Sequence, residues 1–313
     1  MRLVFFGTPE FAVPSLEALV RAGHRVLAVI TQPDRPAGRK QELASPPVKQ
    51  RALELGLEVR QPERIRDPEF ADWLRALEPE AGVVVGYGKI IPPAIFQIPR
   101  HGIVNVHASL LPRYRGAAPI EWAIANGETR TGVTTIRIDE GLDTGDILLQ
   151  RETEIGEEES AVELRSRLAE LGAELLVETL AGLEAGTIRP RPQDHAQATL
   201  APMLRKEDGR IEWSRSATEI ARRVRAFVPW PGAYTWLRGK LLHLWRARPA
   251  AVALTGPPGA LAAEGERLLV ACGGGTTLEI VELQLEGRRR MSAAEFLRGF
   301  RLKQNERFGE PTQ

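Results

Sequence analysis

One cysteine, Cys272, is all the thiol chemistry that this 313-residue chain carries. It excludes an internal disulfide and points to a reducing compartment, so a cytoplasmic location is expected. No histidine or cysteine cluster has the spacing of a zinc site, and no metal is expected. No stretch approaches about 18 consecutive apolar residues, so no membrane span is expected. The opening run Leu3-Val4-Phe5-Phe6 is too short for a signal peptide and is expected to be the first strand of the fold. The turn after it, Gly7-Thr8-Pro9-Glu10, lacks the G-x-G-x-x-G pattern, which weighs against a dinucleotide oxidoreductase. Repeats and low-complexity segments are missing too. Lysine is scarce, 6 against 36 arginines, a bias that genome composition and growth at high temperature would each produce.

What is present suggests two domains, since single cores seldom grow beyond roughly 250–300 residues. Residues 3–6, 11–21 and 24–30 read as strand, helix and strand, which argues for a parallel sheet with crossover helices. The apolar run 81–85, followed by Gly86-Tyr87-Gly88-Lys89, fits a central parallel strand with a ligand-binding carboxyl end. Residues 161–185 form one long amphipathic pattern stopped by Gly186. The Pro- and Gln-rich residues 190–206 read as a linker. Beyond a basic helix over 216–227 come short apolar runs separated by Gly and Pro, the pattern of a β-barrel or sandwich, and then a last helix over 292–300. The expected division is therefore 1–189, a linker over 190–206, and 207–313.

Charge is unevenly spread. Residues 190–313 hold 20 Lys+Arg against 13 Asp+Glu, whereas residues 1–189 hold 22 against 28. A basic C-terminal part on a near-neutral protein suits a polyanionic partner, or is simply a surface solvated by arginine. The loop 32–47 is long, rich in Pro and Gly, and basic at Arg35, Arg39 and Lys40, so it is either a functional loop or a solvated excursion.

The stretch 102–147 concentrates the chemistry. Asn105 and His107 lie two apart on an apolar strand, so they share one face about 7 Å apart. Asp143 sits between Gly141 and Gly145 on a turn-rich loop. An amide donates hydrogen bonds at any pH and can hold a developing oxyanion. An imidazole can donate or shuttle a proton near neutrality. A carboxylate can orient that imidazole, or take the proton of an attacking amine. No serine or cysteine has a paired base, which favours direct transfer over a covalent intermediate; Ser109 remains a weak nucleophile candidate. Cys272, His24, His101, His195 and His243 read as structural.

These residues resemble a known pattern. Asn-x-His-x-Ser-Leu-Leu-Pro over 105–112, followed by Gly-Leu-Asp-Thr-Gly-Asp over 141–146, is similar to the folate-dependent formyltransferase family. So are the segments 6–11, 31–39, 111–120, 210–214 and 225–231, which makes the likeness nearly full length. It implies a Rossmann-like α/β domain with a mostly parallel sheet, followed by a smaller open β-barrel of OB type. It implies a catalytic trio of Asn105, His107 and Asp143, and 10-formyltetrahydrofolate as formyl donor. Folate would lie along Ser109, Leu110, Leu111 and Pro112, with Gly86, Tyr87 and Gly88 lining the pterin pocket. The basic loop and basic C-terminal part resemble those members that formylate initiator methionyl-tRNA. Arg35, Arg39, Lys40, Arg205 and Lys206 are then expected to contact tRNA phosphates, in a monomer. A formyltransferase acting on a sugar nucleotide or purine precursor would share the trio without needing the basic elements, and a nucleic-acid-binding protein would not need the trio.

Overall fold

A computed structural model describes residues 1–37 and 42–309. The chain divides into two compact units. The first comprises residues 1–119, 130–154 and 165–201, and the second comprises 120–129, 155–164 and 202–313.

The first unit is built on seven strands: β1 (Arg2–Gly7), β2 (Arg25–Ile30), β5 (Val59–Arg60), β6 (Ala81–Val85), β7 (Ile103–His107), β9 (Arg130–Arg137) and β10 (Ile147–Glu154). A small hairpin, β3 (Arg35–Ala37) with β4 (Glu42–Ala44), interrupts the loop after β2, where the sequence shows only an irregular excursion. The sheet order is β10-β9-β7-β6-β1-β2-β5. Its five strands from β7 to β5 are parallel, and β9 is antiparallel to both of its neighbours, β7 and β10. Every residue of β6 is buried, as its unbroken apolar run requires of a central parallel strand.

Crossover helices α1 (Val13–Arg21), α2 (Pro47–Glu54) and α3 (Pro68–Ala76) each carry proline in the first turn, where the lost N–H has no intrahelical acceptor. A one-turn helix, α4 (Pro93–Phe96), follows β6. Against the sheet, Val4, Phe6, Ile30, Leu74, Val84 and Ile103 form a continuous buried cluster. Truncating Phe6 there to alanine would cost about 3–5 kcal/mol. A short strand β8 (Arg115–Gly116) pairs in parallel with β11 (Leu200–Ala201). The expected linker is thus more than a tether: its residues 190–201 belong to the first unit, and Arg191 also pairs with Ile147.

Two helices straddle the division: α5 (Pro119–Ala125), nearly all in the second unit, and α6 (Ala161–Glu184), which lies in the first unit from residue 165 on. The second unit carries α7 (Ala217–Ala226), started by a capping box in which Ser216 and Glu219 satisfy each other's backbone N–H. Its antiparallel sheet consists of β12 (Ala233–Leu237), β13 (Lys240–Ala250), β14 (Leu261–Glu264), β15 (Arg267–Ala271) and β16 (Thr277–Leu285), in the order β12-β13-β16-β15-β14. β17 (Met291–Ser292) pairs with β16, and α8 (Ala293–Gly299) closes the unit. Trp213, Leu242, Leu268, Leu278, Phe296 and Phe308 fill its core. Cys272 lies in the same cluster at 4 % exposure, where burial pushes the thiol up to about 11.

Candidate active site

Strand β7 places two of the candidate groups. Asn105 stands opposite Val84 on one side and Ile136 on the other, and His107 stands opposite Thr134. Alternation along the strand turns both side chains to the same face. The third group arrives on the loop between β9 and β10. Asp139 ties that loop, its carboxylate accepting from the Gly141 N–H at 3.0 Å and the Thr144 hydroxyl at 2.6 Å. Gly145 passes so close to the chain that a Cβ there would lie 1.8 Å from the Arg137 carbonyl oxygen. Asp143 itself adopts φ = 53°, a left-handed conformation that costs a non-glycine residue of order 1 kcal/mol.

The three groups converge. Asp143 Oδ2 lies 3.5 Å from His107 Nδ1 and accepts the Gly116 N–H at 2.9 Å. Asp143 Oδ1 accepts from the Asn105 amide at 3.4 Å. His107 Nε2 is 2.8 Å from the Tyr114 carbonyl oxygen, which only an N–H can satisfy. That leaves Nδ1 as the ring atom facing the Asp143 carboxylate. His107 is buried at 6 %, while Asn105 and Asp143 are partly exposed, so the cluster opens at its amide and carboxylate side.

A satisfied polar floor lies beneath. Thr134 Oγ1 donates to the Ser109 carbonyl and accepts from the Leu111 N–H and the Gln150 amide. The Ser109 hydroxyl is fully buried and donates to the Arg113 carbonyl at 2.6 Å. Its proton is committed to backbone and no base faces it, so it has no nucleophile's geometry. Leu111 packs with Ile136 and Ile147, and Leu110 and Pro112 are half-buried.

After β6, Gly86 and Gly88 take φ values of 57° and 80°, the sharp turn that their glycines allow. The Tyr87 ring between them turns into the core at 1 % exposure, edge-on to Phe6, so a ligand at this turn would meet the backbone rather than the phenol. The Tyr87 hydroxyl is buried without a hydrogen-bond partner, and burial pushes it up to about 12. Beside this turn lies a cavity of about 700 Å³ lined by Ile90, Ile91, Pro92, Arg66, Arg75 and Glu140, among others. Ile90, two residues beyond Gly88, is not among the residues that the sequence singles out. The signal was there: a large apolar residue following the glycine turn, which the structure leaves 73 % exposed.

Two further residues, Arg115 of the segment 111–120 and Gln193, are not among the site residues that the sequence singles out. Gln193 and Arg115 are buried polar side chains behind the Asp143 loop, and each takes its partners from chain segments remote in sequence.

The residues expected to meet tRNA divide. Arg35 is exposed and reaches Gln32 Oε1 at 3.4 Å. Arg39 and Lys40 lie outside the described residues. Arg205 and Lys206 are exposed at the start of a 3₁₀ turn in the second unit, where the Arg205 N–H is held by Asp208. At the foot of the 35–44 hairpin, Asp34 accepts from Lys49, Gln61 and Ser45, with Lys49 at 2.7 and 2.9 Å; these bonds, Lys49's foremost, hold its carboxyl below the usual range. Among the described residues, no group of three or more His, Cys, Asp or Glu could hold a metal ion, and no helix is long and apolar enough to cross a membrane.

A parallel-dominated sheet with an amide, an imidazole and a carboxylate meeting at β7, together with a separate antiparallel β unit, defines a two-domain group-transfer enzyme. The chain belongs to the formyl transferase family: the family model "Formyl transferase" matches residues 1–180, and "Formyl transferase, C-terminal domain" matches residues 203–301. It is 62 % identical over 310 residues to the methionyl-tRNA formyltransferase of Solibacter usitatus, covering 99 % of each chain. It is 58 % identical over 310 residues to that of Koribacter versatilis, with the same coverage. Among solved structures, the N-formyltransferase of Helicobacter canadensis in complex with folinic acid and dTDP-3-aminofucose superposes with a TM-score of 0.66 at 19 % identity, covering 89 % of this chain and 98 % of that one.

Proposed function

We propose that this enzyme transfers the formyl group of 10-formyltetrahydrofolate to the α-amino group of methionine carried on initiator tRNA, yielding N-formylmethionyl-tRNA and tetrahydrofolate. The observation that carries the reading is the meeting of Asn105, His107 and Asp143 at the end of β7. Full-length identity to methionyl-tRNA formyltransferases supports the acceptor. Folate is the expected donor because the family's chemistry needs a formyl carrier, and the Helicobacter canadensis relative was solved with folinic acid. The cavity beside Ile90 and Glu140 offers a place for the donor's rings: its walls are largely apolar, and Arg66 is a cation there for an acidic tail, Arg75 being paired with Asp72.

The chemistry follows from the groups present. The neutral amine attacks the formyl carbon, and the carbonyl π pair moves onto oxygen. The Asn105 amide donates to that oxyanion, with the His107 imidazole beside it. Collapse of the tetrahedral intermediate restores the carbonyl and breaks the bond to the folate N10. Asp143 takes the proton from the attacking nitrogen and passes it towards the departing N10, so charge never accumulates on either nitrogen. In the second substrate's binding, Arg35, Arg39, Lys40, Arg205 and Lys206 meet backbone phosphates, which position the acceptor without reading its sequence. The enzyme works in the cytoplasm as a monomer, with residues 1–189 forming the catalytic domain, 190–201 packed onto it, 202–206 joining, and 207–313 an OB-like tRNA-binding domain.

Incubation with 10-formyltetrahydrofolate and methionyl-initiator tRNA should produce acid-stable formyl-methionine. Turnover with an amino-sugar nucleotide in place of tRNA, and none with tRNA, would overturn the assignment of the acceptor.

A further inference from the structure

The Asp143 loop does not hold itself. Its backbone is left-handed at Asp143, and its bonds to Asp139 come from the Gly141 N–H and the Thr144 hydroxyl, leaving the Asp143 and Gly145 carbonyls to partners outside the turn. Those two carbonyls are held by Gln193, a residue of the segment that follows the family-matched first domain. Gln193 Nε2 donates to the Asp143 carbonyl at 2.9 Å and to the Gly145 carbonyl at 2.8 Å. Gln193 Oε1 accepts from Arg115 Nε at 3.1 Å and Nη2 at 2.6 Å. An amide has two donor hydrogens and two acceptor lone pairs, and here all four are used. At 6 % exposure, water is a poor substitute for any of them.

Arg115 is the other half of the device. The next residue is Gly116, whose N–H donates to Asp143 Oδ2. The Gln193 amide therefore links the backbone of the Asp143 loop to the strand that binds the Asp143 carboxylate. The segment carrying Gln193 is pinned in turn. β11 pairs with β8, Thr199 Oγ1 accepts the Tyr114 N–H at 2.8 Å, and Gly116 lies so close that a Cβ would come within 2.7 Å of the Ala201 carbonyl oxygen. Tyr114 is also the residue whose carbonyl holds His107. One segment, residues 191–201, thus braces the backbone behind both the imidazole and the carboxylate.

We propose that Gln193 is the positioning residue for Asp143, fixing its left-handed backbone so that the carboxylate faces Asn105 and His107. This rests on the catalytic role proposed above for Asp143. The residue must be an amide. A glutamate of the same shape would keep the Arg115 pair but would set a carboxylate oxygen against two carbonyl oxygens, forcing the loop away. A misplacement of about 1 Å can cost up to about a hundredfold in rate.

The test uses the full-length enzyme and steady-state kinetics with each substrate varied. Gln193→Glu should lower kcat by about 10- to 100-fold, leave both KM values within about threefold, and shift the pH profile of kcat. Gln193→Ala should lower kcat in the same range and raise hydrogen exchange in residues 139–147; it serves if the glutamate variant does not fold. In the Asp143→Asn background, Gln193→Glu should cost little more, because the residue acts through Asp143. A kcat within twofold of wild type for both single variants, or full additivity with Asp143→Asn, would overturn the proposal. If Asp143→Asn itself left kcat intact, the catalytic reading would fail instead, so the two failures are told apart.

Discussion

Asn105 gives one of its amide hydrogens to Asp143 across 3.4 Å, a long contact that an incoming oxyanion can displace at little cost. Removing that donor costs the folded state one long contact and leaves the transition state short of a hydrogen bond. Asn105→Ala is therefore expected to lower kcat by about 10²–10³-fold with the melting temperature nearly unchanged. A kcat within a few-fold of wild type would remove Asn105 from the oxyanion role. Tyr87 teaches the opposite lesson. Its ring fills core space, yet its hydroxyl is buried without a partner, at an expected cost of about 1–3 kcal/mol. Tyr87→Phe should raise stability by about 1 kcal/mol in urea unfolding. The pH dependence has a definite sign. The folded protein keeps this phenol protonated up to about 12, whereas the unfolded chain releases it near 10. Between those values the folded state binds more protons, so wild type should lose stability as pH rises through that window. The phenylalanine variant should lose less, and equal losses in the two proteins would show that Tyr87 is not the group responsible.

At the scale of elements, the paired strands β3 and β4 are anchored in part by a carboxylate at their foot. Asp34 draws together Lys49 from α2, Gln61 from the end of β5 and Ser45 from the hairpin's own exit. Because its carboxyl is held below the usual range, its contribution is fully present above ordinary carboxylate values and is lost as pH falls through the folded value. At neutral pH the anchor is therefore complete. Asp34→Ala is expected to cut kcat/KM for methionyl-tRNA by about tenfold, the size of effect that a misplaced phosphate-binding loop can produce, while KM for folate stays put. Equal losses with both substrates would show a general defect rather than a loosened loop. This hairpin also marks what a sequence can show. Strands β1, β2, β6, β12 and β15 announce themselves through apolar runs that burial in a sheet demands. Asn105 and His107 are legible because a strand's alternation dictates their common face. The strands of three residues at 35–37 and 42–44, and the single turn of α4, are too short to display any period. Gln193 is illegible for another reason. Its partners are backbone carbonyls about 50 residues away and one arginine 78 away, and carbonyls leave no trace in residue identity.

For the molecule as a whole, the uneven charge becomes a statement about rates. A C-terminal part with 20 cationic and 13 anionic residues would attract a polyanion at long range, while the N-terminal part, with 22 against 28, would not. Many of those arginines are already paired at the surface, as Arg248 and Arg267 are with Glu279, and paired cations contribute little to phosphate binding. Arg205 and Lys206 are exposed, and Asp208 beside them is engaged with the Arg205 backbone N–H. They are accordingly the cations to test. The logarithm of kcat/KM for methionyl-tRNA should fall linearly with the logarithm of salt concentration, with a slope close to the number of phosphates neutralised. The double variant Arg205→Ala, Lys206→Ala should weaken that slope by about two and leave the salt response of folate saturation as it was. An unchanged slope would move the phosphate contacts elsewhere on the basic part. A slope near zero in the wild type would mean that tRNA is not held through its backbone, and the charge asymmetry would then be no more than a solvated surface.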